Sequence, residues 1–333
     1  MKWKFWVGLL ISLLFLFLVF HEIDFAALAR ALSEANYCYL IPIAILYYLI
    51  YVFRAFRWHH LLKPIKSVGF GSLFSATIIG FTANLVLPAR LGEFVRAHQI
   101  GKNEQISKSA SFATIVIERL LDGFTILGVL VLVLLLLDIP ADKAFVGQIL
   151  KKGGYASLVI YMVIIFLLSV LRMRTEMALA VVDRLTYVLP ERFSKAISRV
   201  LSSFADGLEF LNGPRRLGLI VFYSVVIWSL GIATVPMATM AFGIDFPVEA
   251  SMLVMVMIVF GVMIPSAPGF VGTYHAACLY AFLFYNIPKE KALSIAIVMH
   301  AGFFFSTIIL GIAVLAGQKM SLKDLKAPAG NSS

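Results

Sequence analysis

The sequence predicts an all-α polytopic membrane protein with about six full-spanning helices and two oppositely oriented re-entrant helical hairpins in an inverted repeat. Three observations lead there. The 333 residues are 61% hydrophobic and 14% charged, against about 25% charged and 45–50% apolar for a soluble domain, and the mean hydropathy is +0.94. The apolar residues fall in blocks long enough to cross a bilayer. Two of those blocks are broken by Pro/Gly motifs in matching positions. Such a composition excludes a soluble enzyme, a disordered chain and a cytosolic binding module. The net charge is +10, from 28 Lys/Arg and 18 Asp/Glu. In so apolar a chain this reads as basic loops that set topology and meet anionic lipid at the cytoplasmic face, with no nucleic acid as partner.

The first apolar run, 5–20, has no small-residue cleavage site after it and reads as a retained helix. Over 22–35, Phe25, Leu28 and Leu32 recur at helical spacing, which predicts an amphipathic helix on the membrane surface. Further blocks fall at 37–56, 70–88, 112–137, 155–171, 217–243, 250–265, 271–286 and 292–316. The polar insert 172–216 carries one apolar stripe from Phe193 to Leu211 and predicts cytoplasmic interfacial helices broken at Pro190. Residues 1–318 form one domain, and 319–333 a polar tail.

Orientation follows Lys and Arg. Lys2 and Lys4 put the N-terminus inside, and Arg54, Arg57, Lys63 and Lys66 return the chain to the cytoplasm. If 70–88 crossed, Arg90, Arg96, Lys102 and Lys108 would be external. A hairpin over 70–110, entering and leaving on the cytoplasmic side, removes the conflict. A second hairpin around 250–286, entered from outside, does the same for the other half. Only Arg30, Lys143, Lys151, Lys152, Lys289 and Lys291 are then external, Arg119 lies within the membrane, and both termini are cytoplasmic. The first unit (37–137) and the second (217–316) have opposite senses. Their centres look alike: Leu87-Pro88-Ala89-Arg90-Leu91-Gly92 against Ile264-Pro265-Ser266-Ala267-Pro268-Gly269.

Three constellations carry possible chemistry. Pro88 and Gly92 allow a helix break, after which Arg90, Glu93 and Arg96 follow at once. Freed amides and forked guanidinium donors suit a phosphate; the alternative is a cytoplasmic loop whose charges pair with each other and with lipid. Glu118, Arg119 and Asp122 sit inside 112–137. On the insertion scale three central charges cost about 8–10 kcal/mol, and the twelve large apolar residues of 123–137 return about 4–7. These charges must therefore face protein or a watered cavity, either as an internal ion pair or in a substrate or proton role. Third, Pro265, Pro268, Gly269 and Gly272 place irregular backbone at membrane depth beside Ser266, Thr273 and Tyr274, which buries it or makes it line a cavity. A tight external loop is the other reading. His275 and His300 are candidate substrate contacts, or hydrogen-bonded packing residues. His59 and His60 are adjacent and share no helical face, so no metal site is expected there, and Cys38 and Cys278 imply no disulfide framework. No nucleotide or hydrolase fingerprint occurs, and no cofactor is expected.

The run Leu87–Glu93, then Glu118-Arg119 with Asp122, then Pro265–Gly269 with Gly272, resembles the transmembrane, flippase-like domain of lysylphosphatidylglycerol synthases over about residues 5–316. The resemblance implies a multi-pass protein of the cytoplasmic membrane that moves phospholipids or lipid-linked headgroups between leaflets. Many relatives carry Glu where His275 stands here. The synthases' soluble transferase domain has no counterpart in the sequence, so lysyl transfer is not expected. On this reading Arg90, Arg96 and Arg119 hold phosphate, and Glu93, Glu118 and Asp122 balance them or receive a cation or proton. Pro88, Gly92, Pro265 and Pro268 act as hinges. The alternatives are a membrane enzyme, or an accessory partner of a glycosyltransferase or lipid synthase.

Overall fold

The computed structural model describes residues 2–87, 90–136, 144–173 and 213–320, with Arg184, Ile197, Ser198 and Ser202 singly. Within them the chain is helical. The helices are α1 (Lys2–Phe20), α2 (Phe25–Ser33), α3 (Leu40–Leu62), α4 (Phe70–Val86), α5 (Gly92–Glu104), α6 (Lys108–Leu136), α7 (Ala144–Met173), α8 (Pro214–Met240), α9 (Val248–Met263), α10 (Thr273–Phe284) and α11 (Lys289–Gly317). Five of the helical spans are long and apolar enough to cross a membrane, and six if the bent α1–α2 pair counts as one. The tail beyond 320 and the hinge Pro88 lie outside the described residues, as do the expected interfacial helices of 172–216 apart from 172 and 173, which end α7, the four single residues, and 213–216, which lead into α8.

Local chemistry sets the boundaries. The α1–α2 bend of 88° is fixed by Asp24, whose carboxylate accepts from the amides of Ala26 and Ala27 at 2.8 and 3.2 Å, an N-cap. Asn36 accepts from Cys38 N at 3.1 Å and opens the short turn before α3. Gln105 ends α5 in the left-handed conformation, φ 54°. Two boundaries differ from expectation. Helix α3 runs past residue 56 to Leu62, so Arg57, beyond the expected block, is a helix residue like Arg54. Helix α7 begins before 155, so Lys151 and Lys152 lie in its third turn.

Two helix pairs fold back on themselves, and both use a glycine to do so. A Cβ on Gly80 would meet Gly92 O at 3.0 Å and Arg96 Cβ at 2.8 Å; one on Gly261 would meet Thr273 O at 2.9 Å and Ala277 Cβ at 2.5 Å. The partners lie twelve and sixteen residues on in each case. The α4–α5 and α9–α10 pairs thus share one packing register. That register sets Gly92 opposite Thr273, whereas the motif likeness sets it opposite Gly269, four residues or about one helical turn away. The likeness of the two breaks therefore does not mark equivalent positions. The breaks also differ in length, 87–91 against 264–272, so one helix of the second pair stops a turn sooner.

The largest apolar core joins α9, α10 and α11 with the ends of α6 and α8. A second is built around Trp58 of α3, against α4, α5 and α6. Helix α1 lies along the second break: Ser12 Oγ accepts from Ala267 N at 2.8 Å, and Gly272, at φ 93°, passes Ser12 O where a Cβ would stand 2.6 Å away.

Candidate functional site

Seven charged side chains meet between α3, α5 and α6. On α3, Arg54 and Arg57 are three apart, and on α6, Glu118 and Asp122 are four apart, so each pair shares a face. At ~1.5 Å per residue Asp122 stands ~21 Å along α6 and Arg54 ~21 Å along α3. Both are mid-helix. Glu118 is fully buried, as is Arg57, and Arg96 is 2% exposed.

Glu118 receives Arg96 as a fork, at 2.9 and 3.0 Å. The same carboxylate accepts from Arg119 at 2.7 Å and pairs with Arg57 at 3.3 Å. Asp122 accepts from Arg57 at 2.8 Å and from Arg54 at 3.1 Å, stands 3.3 Å from Arg119, and takes a third hydrogen bond from Trp228 Nε1 at 3.2 Å. Glu93 joins at the margin, 3.8 Å from Arg119 Nε. Arg57 also donates to Ser224 Oγ at 2.8 Å. The Arg96 guanidinium lies 3.7 Å from the centre of the Trp58 ring, a cation–π contact. Four guanidiniums thus face three carboxylates. Sequence reading assigned Arg54 and Arg57 to topology alone, because a basic residue at the end of an apolar block looks like a loop anchor. Their spacing of three, matched to an acidic pair of spacing four, was the available signal.

Beside this network a cavity of about 400 Å³ opens between the two helix pairs. Arg54, Arg119 and Asp122 form its polar floor, shared with the network. Asn84, Arg90 and Glu93 come from the first pair, and Met255, Ile258, Val259, Val262, Phe270 and Tyr274 from the second pair and its break. Tyr47 and Tyr51 of α3, Phe81 of α4 and Trp228 of α8 add aromatic wall, unforeseen in the sequence.

Arg90 sits at φ 54°, a conformation rare outside glycine and concentrated at functional sites. Its guanidinium donates to the Val262 carbonyl of the second pair and lies 5.5 Å from the centre of the Phe270 ring. The tips of the two pairs are therefore tied together by one half-buried arginine. Gly92 N donates to Asn84 Oδ1 at 2.8 Å, which caps the start of α5.

Of the expected site residues, the cavity gathers Arg90, Glu93, Arg119, Asp122 and Tyr274. Arg96 and Glu118 lie behind it, in the network. Ser266 faces α1, where its carbonyl approaches Gly8. Gly269 sits at φ 75°, and its carbonyl oxygen stands 2.8 Å from His300 Nε2. His275 and His300 are 4.7 Å apart between ring centres. Both are buried and neither lines the cavity, but their rings lie 6.0 and 4.8 Å from that of Tyr274, which does; Thr273 is buried at the start of α10. At the other end of the protein His59 Nδ1 meets Val68 O at 3.1 Å, while His60 stacks on Tyr223.

The family model for the lysylphosphatidylglycerol synthase transmembrane region matches residues 5–311. A glycosyltransferase, AglD, of Haloferax volcanii is 25% identical over 345 residues, which cover 95% of this chain and 54% of that protein. The chain thus spans about half the length of this relative. A UPF0104 membrane protein of Methanothermobacter thermautotrophicus is 25% identical over 296 residues, 86% of this chain and 87% of the relative. Another, of Methanocaldococcus jannaschii, is 25% identical over 318 residues, 92% and 93%.

Proposed function

From the premise that this chain belongs to the lysylphosphatidylglycerol synthase transmembrane family, we propose that it carries lipid headgroups between the leaflets of the cytoplasmic membrane. The headgroup occupies the cavity between the two helix pairs while the acyl chains stay in lipid. In this reading the pairs are re-entrant hairpins of opposite sense, and both termini are cytoplasmic. The observation that supports it best is the cavity itself: a polar floor of Arg54, Arg119 and Asp122 at mid-helix, with apolar walls on two sides. Charged groups at that depth are costly and are retained where they serve a path or a partner. Arg90 takes the phosphate, because its present acceptor is a neutral carbonyl that a charged oxygen outcompetes.

The test is translocation of a panel of fluorescent phospholipids in proteoliposomes. Arg90→Ala is expected to lower the rate by at least about tenfold, the value of one charge-assisted hydrogen bond, with the protein eluting and melting as the parent does. Unchanged translocation in that variant refutes the mechanism.

A second reading has the chain act as a membrane partner in lipid-linked glycan assembly, beside a glycosyltransferase or lipid synthase. It is favoured by the name of the Haloferax relative, half of whose length this chain spans. Translocation by the purified chain alone separates the two.

A further inference from the structure

The walls of the cavity carry information about the headgroup. Eight of its 25 lining residues bear Phe, Tyr or Trp rings, against 13% of the chain. The rings are ordered. Tyr47, Tyr51 and Arg54 recur at i, i+4 and i+7 and form one stripe of α3, ~10 Å long at ~1.5 Å per residue. Tyr47 faces Phe303 at 5.5 Å between centres, and Tyr51 faces Phe81 at 5.2 Å, both tilted. Phe81 in turn lies 5.1 Å from the Arg54 guanidinium carbon. The stripe leads from paired rings to positive charge.

Charge decides the sign of the ligand. Asp122 is held by three arginines and Trp228, and Glu93 pairs with Arg119. Arg90 is bound to a backbone carbonyl and lies over a ring. A cationic headgroup would find rings suited to it but only Glu93, which stands 3.8 Å from Arg119, to receive it, and it would meet an excess of guanidinium, Arg54, Arg90 and Arg119 against Glu93 and Asp122. An anion meets the excess directly. The ring wall then needs a partner with a face. Aromatic faces are electron-rich, and a pyranose presents a face of C–H bonds to them while its hydroxyls reach tyrosine, amide and carboxylate groups at the edges. A glycerol headgroup has no such face.

We propose that the cavity binds a saccharide phosphate carried on a lipid, the phosphate on Arg90 and the sugar ring along the Tyr47–Phe303 and Tyr51–Phe81 pairs. This rests on the transport reading above and names its substrate class.

The test uses the full chain in detergent and isothermal titration with four probes. They are a short-chain isoprenyl phosphohexose, the same isoprenyl phosphate without sugar, dihexanoyl phosphatidylglycerol and dihexanoyl phosphatidylcholine. The phosphohexose is expected to bind at least about tenfold more tightly than the other three, the scale of two ring contacts. Phe303→Leu and, separately, Tyr47→Leu are expected to cut that preference to under about threefold. Equal affinity for the phosphohexose and the bare phosphate overturns the saccharide assignment and leaves lipid transport standing. Tightest binding of phosphatidylcholine overturns the anionic assignment. If none of the four binds and none of the corresponding long-chain lipids is translocated in proteoliposomes, the transport reading fails, and this proposal with it.

Discussion

Asp122→Asn is the sharpest test of the charge network. The change keeps the side chain's shape and removes one negative charge from a buried site with guanidiniums at 2.8, 3.1 and 3.3 Å. Four arginines then face two carboxylates. Removing one partner of a buried ion pair costs about 3–5 kcal/mol, most of it the charge left uncompensated. Arg57→Met should cost less, on the order of 1–2 kcal/mol, because it brings the count to three against three and replaces a buried stem with an apolar one of similar length. The double variant restores the parent excess of one guanidinium. It should therefore be about as stable as Arg57→Met alone, a coupling of about 3–5 kcal/mol, the whole cost of Asp122→Asn. At roughly 2 °C per kcal/mol for a chain of this size, Asp122→Asn lowers Tm by about 6–10 °C, and the double variant recovers over half of that. Thermal unfolding in detergent measures all three. The reasoning fails if Asp122→Asn melts no lower than Arg57→Met, or if the double variant loses the sum of the single losses.

Two further expectations concern backbone approach. Gly92→Ala puts a Cβ 2.0 Å from Gly80 O and 2.6 Å from Asn84 Oδ1, so the first helix pair must part; a loss of several kcal/mol is expected, of the order of a severe overpacking. Gly128→Ala, in α6 with nothing within 4 Å of the new atom, should instead stabilise by up to about 1 kcal/mol, and the two melting curves check both signs. Ser12→Ala leaves the Ala267 amide without its 2.8 Å acceptor, at a cost of about 1–3 kcal/mol. Faster hydrogen exchange confined to residues 266–272 is the expected readout.

Much of the architecture was legible, and particular residues show why. Phe70–Val86 and Val248–Met263 are too short to span comfortably and are followed by Pro or Gly, so the breaks announce themselves. Glu118 and Asp122 are legible as buried because the helix around them is apolar on every side and no lipid-facing orientation can hold them. Arg54 and Arg57 were hidden for the opposite reason. They stand where an apolar run gives way to polar residues, and there the hydropathy signal of a loop and that of a buried basic stripe coincide. The shared packing register of the two helix pairs was hidden too. It is carried by Gly80 and Gly261, whose role is a close approach to a partner twelve and sixteen residues on; a glycine inside an apolar helix gives no sign of which neighbour it meets. The conspicuous Pro-Ala/Gly motifs pointed instead to an alignment one turn away. The aromatic wall escaped notice because rings at helical spacing are ordinary core residues until a cavity is known to lie beside them.

Stability and transport should separate, because the cavity and the network share some residues and not others. Arg54, Arg119 and Asp122 belong to both. Arg57 and Arg96 lie behind the wall, and Arg90 lies on the wall outside the network. Behind the wall the network fixes the floor charges before any ligand arrives, so binding pays little for reorganising them. It follows that Arg57→Met should lower Tm with translocation per folded molecule retained, while Arg90→Ala should lower translocation by about tenfold or more with Tm within a degree or two of the parent, since it breaks one half-buried hydrogen bond. Rate per folded molecule against Tm, measured on both variants in one lipid mixture, gives two points off the diagonal in opposite directions. If both variants instead lose stability and rate in the same proportion, the charges and the cavity form a single structural device, and the headgroup assignment of Arg90 is wrong.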